Sequence, residues 1–88
     1  MPVRVTLPPT LVRLFPGAPR QVEVAATTVA EVIDALDARW PGMRDRLCES
    51  DVRLRRQINV FVAGERAMLQ TRLDPGAEVV ILLAIVGG

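Results

Sequence analysis

The chain ends Ala84-Ile85-Val86-Gly87-Gly88, and its last two residues are the ones whose type and position could do chemistry. Glycine removes side-chain bulk, so a paired-glycine end following directly on an apolar segment is slender enough to enter a narrow cleft in another protein. The one reactive group there is the carboxylate of Gly88, which with Gly87, Val86 and Ile85 makes the candidate site. A carboxylate is a poor electrophile. It becomes an acyl donor once ATP converts it to an acyl-adenylate, whose carbonyl carbon sulfide, a persulfide or a thiol can then attack. The sequence carries neither a Walker-type phosphate loop nor a dinucleotide fingerprint. ATP and Mg²⁺ would therefore be used by a partner enzyme, with no cofactor bound here, and the chain would be substrate and carrier rather than enzyme.

The remaining composition closes off other chemistry. There is no His, no Tyr and no Lys, and the single cysteine is Cys48. Ser-His and Cys-His nucleophile pairs and most zinc sites are excluded, so no catalytic or metal-ligating set is expected. One cysteine forbids an internal disulfide, and the start Met-Pro-Val-Arg-Val lacks a signal-peptide pattern, so a cytoplasmic location is expected. The apolar run over residues 79–86 is far short of the ~20 residues that cross a bilayer and reads as a buried strand, with no membrane partner. Eleven basic against ten acidic residues leave a net charge of +1, which offers no field for nucleic acid. At 88 residues the chain fits one domain, expected over 1–88 with a flexible Gly-Gly tail over 84–88.

The elements that must position this tail follow from periodicity. Val3-Arg4-Val5-Thr6-Leu7 alternates with a period of two and predicts a strand with Val3, Val5 and Leu7 inward, ended by Pro8-Pro9. A loop to Pro19 follows, with Leu11, Val12, Leu14 and Phe15 tucked against the sheet edge. The alternation resumes at residues 21–25 with Val22 and Val24 inward. Thr28-Val29-Ala30-Glu31 is a capping box, and Val29, Val32, Ile33, Leu36 and Trp40 recur at helical spacing until Pro41-Gly42 stops the helix. Residues 43–47 add one helical turn, and 51–56 read as a polar connector. Ile58-Asn59-Val60-Phe61-Val62 is a further strand with Phe61 facing away from Ile58, Val60 and Val62. Ala63-Gly64-Glu65 predicts a turn, 68–73 a short irregular strand, Asp74-Pro75-Gly76 a turn, and 78–83 the last strand.

A hairpin, a helix across it and a long final strand imply that the first and last strands pair in parallel at the centre of the sheet. The expected fold is α+β, a β-grasp with a mixed four- to five-stranded sheet and one main helix on one face. Val79, Ile81 and Leu83 would join Val5, Val22, Val60, Ile33 and Leu36 in the core. Phe61, Val80 and Leu82 would stay on the open face as candidates for partner binding.

With this pattern in place the chain resembles the ThiS/MoaD family of ubiquitin-like sulfur carriers along its whole length, through Ile58-Asn59-Val60-Phe61-Val62 and the Gly87-Gly88 end. The opening Val5-Thr6-Leu7-Pro8 to Leu11, the capped helix and the Asn-Val-Phe-Val strand look most like the carriers of cysteine biosynthesis. The resemblance implies adenylation of Gly88 by an E1-like enzyme, conversion to a thiocarboxylate with sulfur from a donor or sulfurtransferase, and delivery to an acceptor such as a cysteine synthase. Molybdopterin, thiamin thiazole or another sulfur metabolite would be alternative products. Val86 replaces the small residue often found before the glycines, and Leu83 a frequent proline. Ala63-Gly64-Glu65 replaces an Asn-Asp/Glu-Glu turn; these departures bear on tail shape and on the choice of partner enzymes.

Two other readings share the same tail. A protein modifier would end with Gly88 in an isopeptide bond, and an interaction module would use its last strand and open face without covalent chemistry. Cys48 reads as a small semi-buried filler, Trp40 as a core anchor, and Arg53, Arg55 and Arg56 as a solvated connector.

Overall fold

The alternating Val3-Arg4-Val5-Thr6 segment forms β1 (Val3–Thr6), with Val3, Val5 and the following Leu7 fully buried. The computed structural model describes residues 1–84. Contrary to the expectation of a loop, Pro8-Pro9 does not merely end the strand but starts a short helix, α1 (Pro9–Leu14). Proline at a first helical position has its φ preset and gives up no needed donor. The Pro8 carbonyl accepts from the Leu11 and Val12 N–H groups at 3.1 and 3.2 Å. Leu11 is buried and Val12 and Phe15 half-buried, whereas Leu14 is 47% exposed and is not tucked in.

β2 (Gln21–Val24) returns antiparallel to β1, pairing Val5 with Val22 and Val3 with Val24. α2 (Val29–Arg39) buries Val29, Val32, Ile33 and Leu36, and Trp40 is a half-buried C-cap. The Thr28 hydroxyl accepts from the Glu31 N–H at 3.1 Å, as a capping box requires. The return bond is displaced by one residue: the Glu31 carboxylate accepts from the Thr27 N–H at 2.6 Å and the Thr27 hydroxyl at 2.7 Å. Gly42, at φ +99°, turns the chain into α3 (Met43–Leu47), where Met43 and Leu47 are buried.

The expected connector over 51–56 is instead part of a small hairpin, β3 (Cys48–Ser50) against β4 (Arg53–Leu54). Its residues are mostly exposed, so they carry no apolar alternation to announce a strand. β5 (Ile58–Val62) and β6 (Glu65–Ala67) are joined by Ala63-Gly64, both at positive φ (53° and 83°), the two-residue geometry whose twist matches a hairpin. The short strand therefore lies at 65–67 rather than within 68–73. The latter segment stays irregular, except for a single bridge between Arg72 and Thr28, and serves α2. Its Thr71 and Leu69 carbonyls accept from the Val29 and Ala30 N–H groups, which no helix turn can satisfy.

After the Asp74-Pro75-Gly76 turn, closed by the Ala77 N–H on the Asp74 carbonyl at 3.0 Å, comes β7 (Glu78–Leu83). The main sheet runs β2-β1-β7-β5-β6, with β7 parallel to β1 and antiparallel to β5. This is the expected β-grasp arrangement, with three helices among the described residues instead of one main helix and a turn. One expected core residue is displaced. Leu83 is 40% exposed, because β1 pairs with β7 only as far as Thr6 opposite Val80, and the last residues of β7 run beyond it.

Candidate functional site

Gly88, Gly87, Val86 and Ile85 lie outside the described residues, so the site is built from what delivers them. The delivering element is β7, the central strand of the sheet. Its end is held on one side by β5, where Ile58 stands opposite Leu83 and the Ala84 N–H donates to the Gln57 carbonyl at 2.7 Å. On the other side, where β1 has stopped, α1 forms a shoulder. Leu11 and Leu14 from α1, Arg46 from α3, and Gln57, Ile58 and Leu83 line a cleft of about 170 Å³ at the exit. The chain therefore leaves the sheet from a firmly paired base, and partly exposed Leu14 and Leu83 flank the point of departure. Sequence reading missed this use of α1, and Pro at the second of two consecutive prolines was the available signal.

Phe61, Val80 and Leu82 do share the open face. Phe61 stands opposite Val80 and Asn59 opposite Leu82 across the β5–β7 ladder. Leu82, the member nearest the exit, is 45% exposed, and Phe61 and Val80 are half-buried. Polar residues surround them. The Arg66 guanidinium donates to the Asn59 side-chain carbonyl at 2.6 Å, and at the far end Arg4 pairs with Glu78 at 3.2 Å. The face thus carries an apolar strip of Phe61, Val80 and Leu82, with the Arg66–Asn59 pair beside Leu82 and the Arg4–Glu78 pair at the far end.

The other candidates take structural roles. Cys48 is buried at the junction of α3 and β3, and burial pushes its thiol above the usual range, against the opposing pull of Arg44. It is a packed filler and a poor nucleophile near neutrality. Glu31 titrates below its ordinary value because the Thr27 hydroxyl, and then the Thr27 N–H, bond to its charged form. Among the described residues no group of three or more His, Cys, Asp and Glu side chains could hold a metal ion, and no helix is long and apolar enough to cross a membrane.

Comparison with known proteins gives this geometry its family. The ThiS family model matches residues 11–88. The chain belongs to the ThiS family. Over 94 aligned positions, covering all of both chains, it is 33% identical to the sulfur carrier protein CysO of Mycobacterium tuberculosis. Among solved structures it is similar to a chain of the Amycolatopsis orientalis BexX/CysO complex, at 34% identity and a TM-score of 0.84 over 98% of this chain and 99% of that one. It is also similar to SAMP1 from Haloferax volcanii, at 28% identity and a TM-score of 0.81 over the whole of both chains. At these TM-scores the relatives share the β-grasp fold seen here.

Proposed function

We propose that this ThiS-family chain is a cytoplasmic sulfur carrier, one β-grasp domain whose tail over residues 84–88 enters partner enzymes. The observation that carries the reading is the whole-length similarity to CysO sulfur carriers, on a fold whose central strand leads directly to Gly87-Gly88. In the reaction, the Gly88 carboxylate oxygen attacks the α-phosphorus of ATP on an E1-like enzyme and pyrophosphate leaves. Sulfide then attacks the acyl carbon and AMP leaves, so that C–O is exchanged for C–S and the thiocarboxylate results; with a persulfide donor an acyl disulfide forms instead, and a thiol must cleave its S–S bond, leaving as a disulfide with the donor. The carrier supplies the acyl group and the docking face, and the partner supplies ATP and Mg²⁺. Cysteine synthesis is the first destination for the sulfur, with a cysteine-synthase-like acceptor.

Intact mass of the full chain after incubation with ATP, sulfide and host extract tests this directly. The expected result is a shift matching one oxygen replaced by sulfur, localised to Gly88 and absent when Gly88 is deleted. An unshifted mass in extract that charges another carrier overturns the proposal. Similarity to SAMP1, a small archaeal modifier protein, favours a second reading in which Gly88 ends in an isopeptide bond. Higher-mass conjugates in lysate would select it.

A further inference from the structure

The arginines at 53, 55 and 56 are exposed, as expected of a solvated stretch, and the hairpin gives them a fixed place. The β3–β4 hairpin folds them along one side of a groove of about 810 Å³, and Arg66 closes on it from the middle of β6. The apolar floor is offered by half-buried Leu54 with exposed Val52 and Met68 at its lips, and Ile58, Val60, Ala67 and Leu69 lie buried beneath it. A Gln70 side-chain amide donating to the Val52 carbonyl at 3.2 Å ties the two walls together. Four arginines are among the residues lining the groove and, among the described residues, no acidic side chain is; Glu49 lies on the outer flank of the arginine run. These four outweigh the formal net charge of +1, so the rest of the chain is net negative and the positive potential concentrates here. Arg55 is steadied by donating through Nε to the Asp45 carbonyl at 2.7 Å and Arg66 by its bond to Asn59, leaving further N–H groups to meet an incoming anion.

We propose that this groove binds an extended acidic segment of a partner protein, with aliphatic side chains seated on the floor and carboxylates paired with Arg53, Arg55, Arg56 and Arg66. Guanidinium forks match carboxylates two bonds at a time, and a floor of this kind rewards aliphatic side chains between them. A single-stranded nucleic acid fits less well, because its bases stack on aromatic side chains and none lines the groove. Since β6 covers only Val60–Val62 of β5, the Ile58–Asn59 edge on that side is free of a named strand among the described residues, which gives an extended segment room to lie there.

The test is an NMR titration of the ¹⁵N-labelled full chain with an acetylated hexapeptide of alternating aspartate and leucine. Expected are saturable shifts confined to residues 52–59 and 66–71, and affinity about tenfold weaker in the Arg53→Glu/Arg56→Glu double variant, whose exposed side chains leave the fold intact. Arg13→Glu on α1 binds as wild type, the asparagine-leucine twin of the peptide binds at least about tenfold more weakly, and added salt weakens the complex. Deleting Gly87-Gly88 leaves peptide binding unchanged, so the outcome is independent of the carrier chemistry. Shifts outside the groove, affinity indifferent to the double variant, or tighter binding of an oligouridylate would each overturn the proposal.

Discussion

The two faces of β7 are built from the same kinds of aliphatic residue and treated in opposite ways. Val79 and Ile81, at 0% and 1% exposure, lie in the core with Val5, Val60 and the buried stripe of α2. Val80 and Leu82 point the other way, beside Phe61, onto a face that no element covers among the described residues. A face with only folding to serve carries polar residues there, as β1 does with Arg4 and Thr6 and β2 with Gln21 and Glu23. Aliphatic side chains that remain partly in water return little to stability. The difference therefore separates residues that hold the fold from residues left free to meet another molecule, within one strand and two positions of each other.

Truncation on the core face should have the largest effect. Ile81→Ala and Leu36→Ala are each expected to cost about 2–5 kcal/mol in chemical denaturation, against a total of about 4–13 kcal/mol for a chain of this length. Leu82→Ala should stay within about 0.5 kcal/mol. Equal costs for Ile81 and Leu82 would erase the distinction between the faces. The converse experiment is Leu82→Asp, assayed for conversion of Gly88 to the thiocarboxylate by the partner enzyme. A fall of about tenfold in kcat/KM with unfolding unchanged is expected, since a charge at the apolar end of the face opposes docking. Undiminished conversion would remove Leu82 from the interface.

Legibility in the sequence tracks how much each element depends on its own alternation. β5 has the bounds that its alternation predicts, β7 those read from a continuous apolar run after the Asp74-Pro75-Gly76 turn, and strand parity already separates Val79 and Ile81 from Val80 and Leu82. α1 was hidden because six residues make under two turns, too few to show a stripe, and because consecutive prolines read first as a stop. The β3–β4 hairpin was hidden because its strands have only three and two residues and bury just one, Cys48. Leu83 illustrates a different limit. Its parity puts it with Ile81, but burial requires something above it, and the end of β1 at Thr6 is a fact of three dimensions. The arginine groove is of the same kind, because residues 53–56 and 66–71 meet only after folding.

The start of α2 gives a smaller effect that bears on the covered side. Thr28→Ala removes the acceptor of the Glu31 N–H and should cost about 1 kcal/mol. Glu31 adds a pH dependence. Its folded pKa lies below the usual 4.5 because the charged carboxylate accepts from Thr27, so its contribution is fully present above the unfolded value and is lost as pH falls through the folded one. The stability difference between wild type and Glu31→Gln should therefore shrink as pH drops from neutrality to below 4.5. A difference that stayed constant would detach Glu31 from the cap.

The smallest expected effect lies at the charged end of the open face. Parallel pairing places Arg4 opposite Glu78, and both exposed side chains meet at 3.2 Å, with water on one side and the sheet on the other. Such a pair is worth about 0–1 kcal/mol and weakens with salt, so Arg4→Ala should barely move the denaturation midpoint at moderate ionic strength. Its use lies in what it does to the face. If the apolar end alone meets the activating enzyme, Arg4→Ala leaves thiocarboxylate formation unchanged while Leu82→Asp impairs it. A comparable loss in both variants would extend the contact across the whole length of β7, and the separation would then lie between the two faces of the strand and no longer between the two ends of one face.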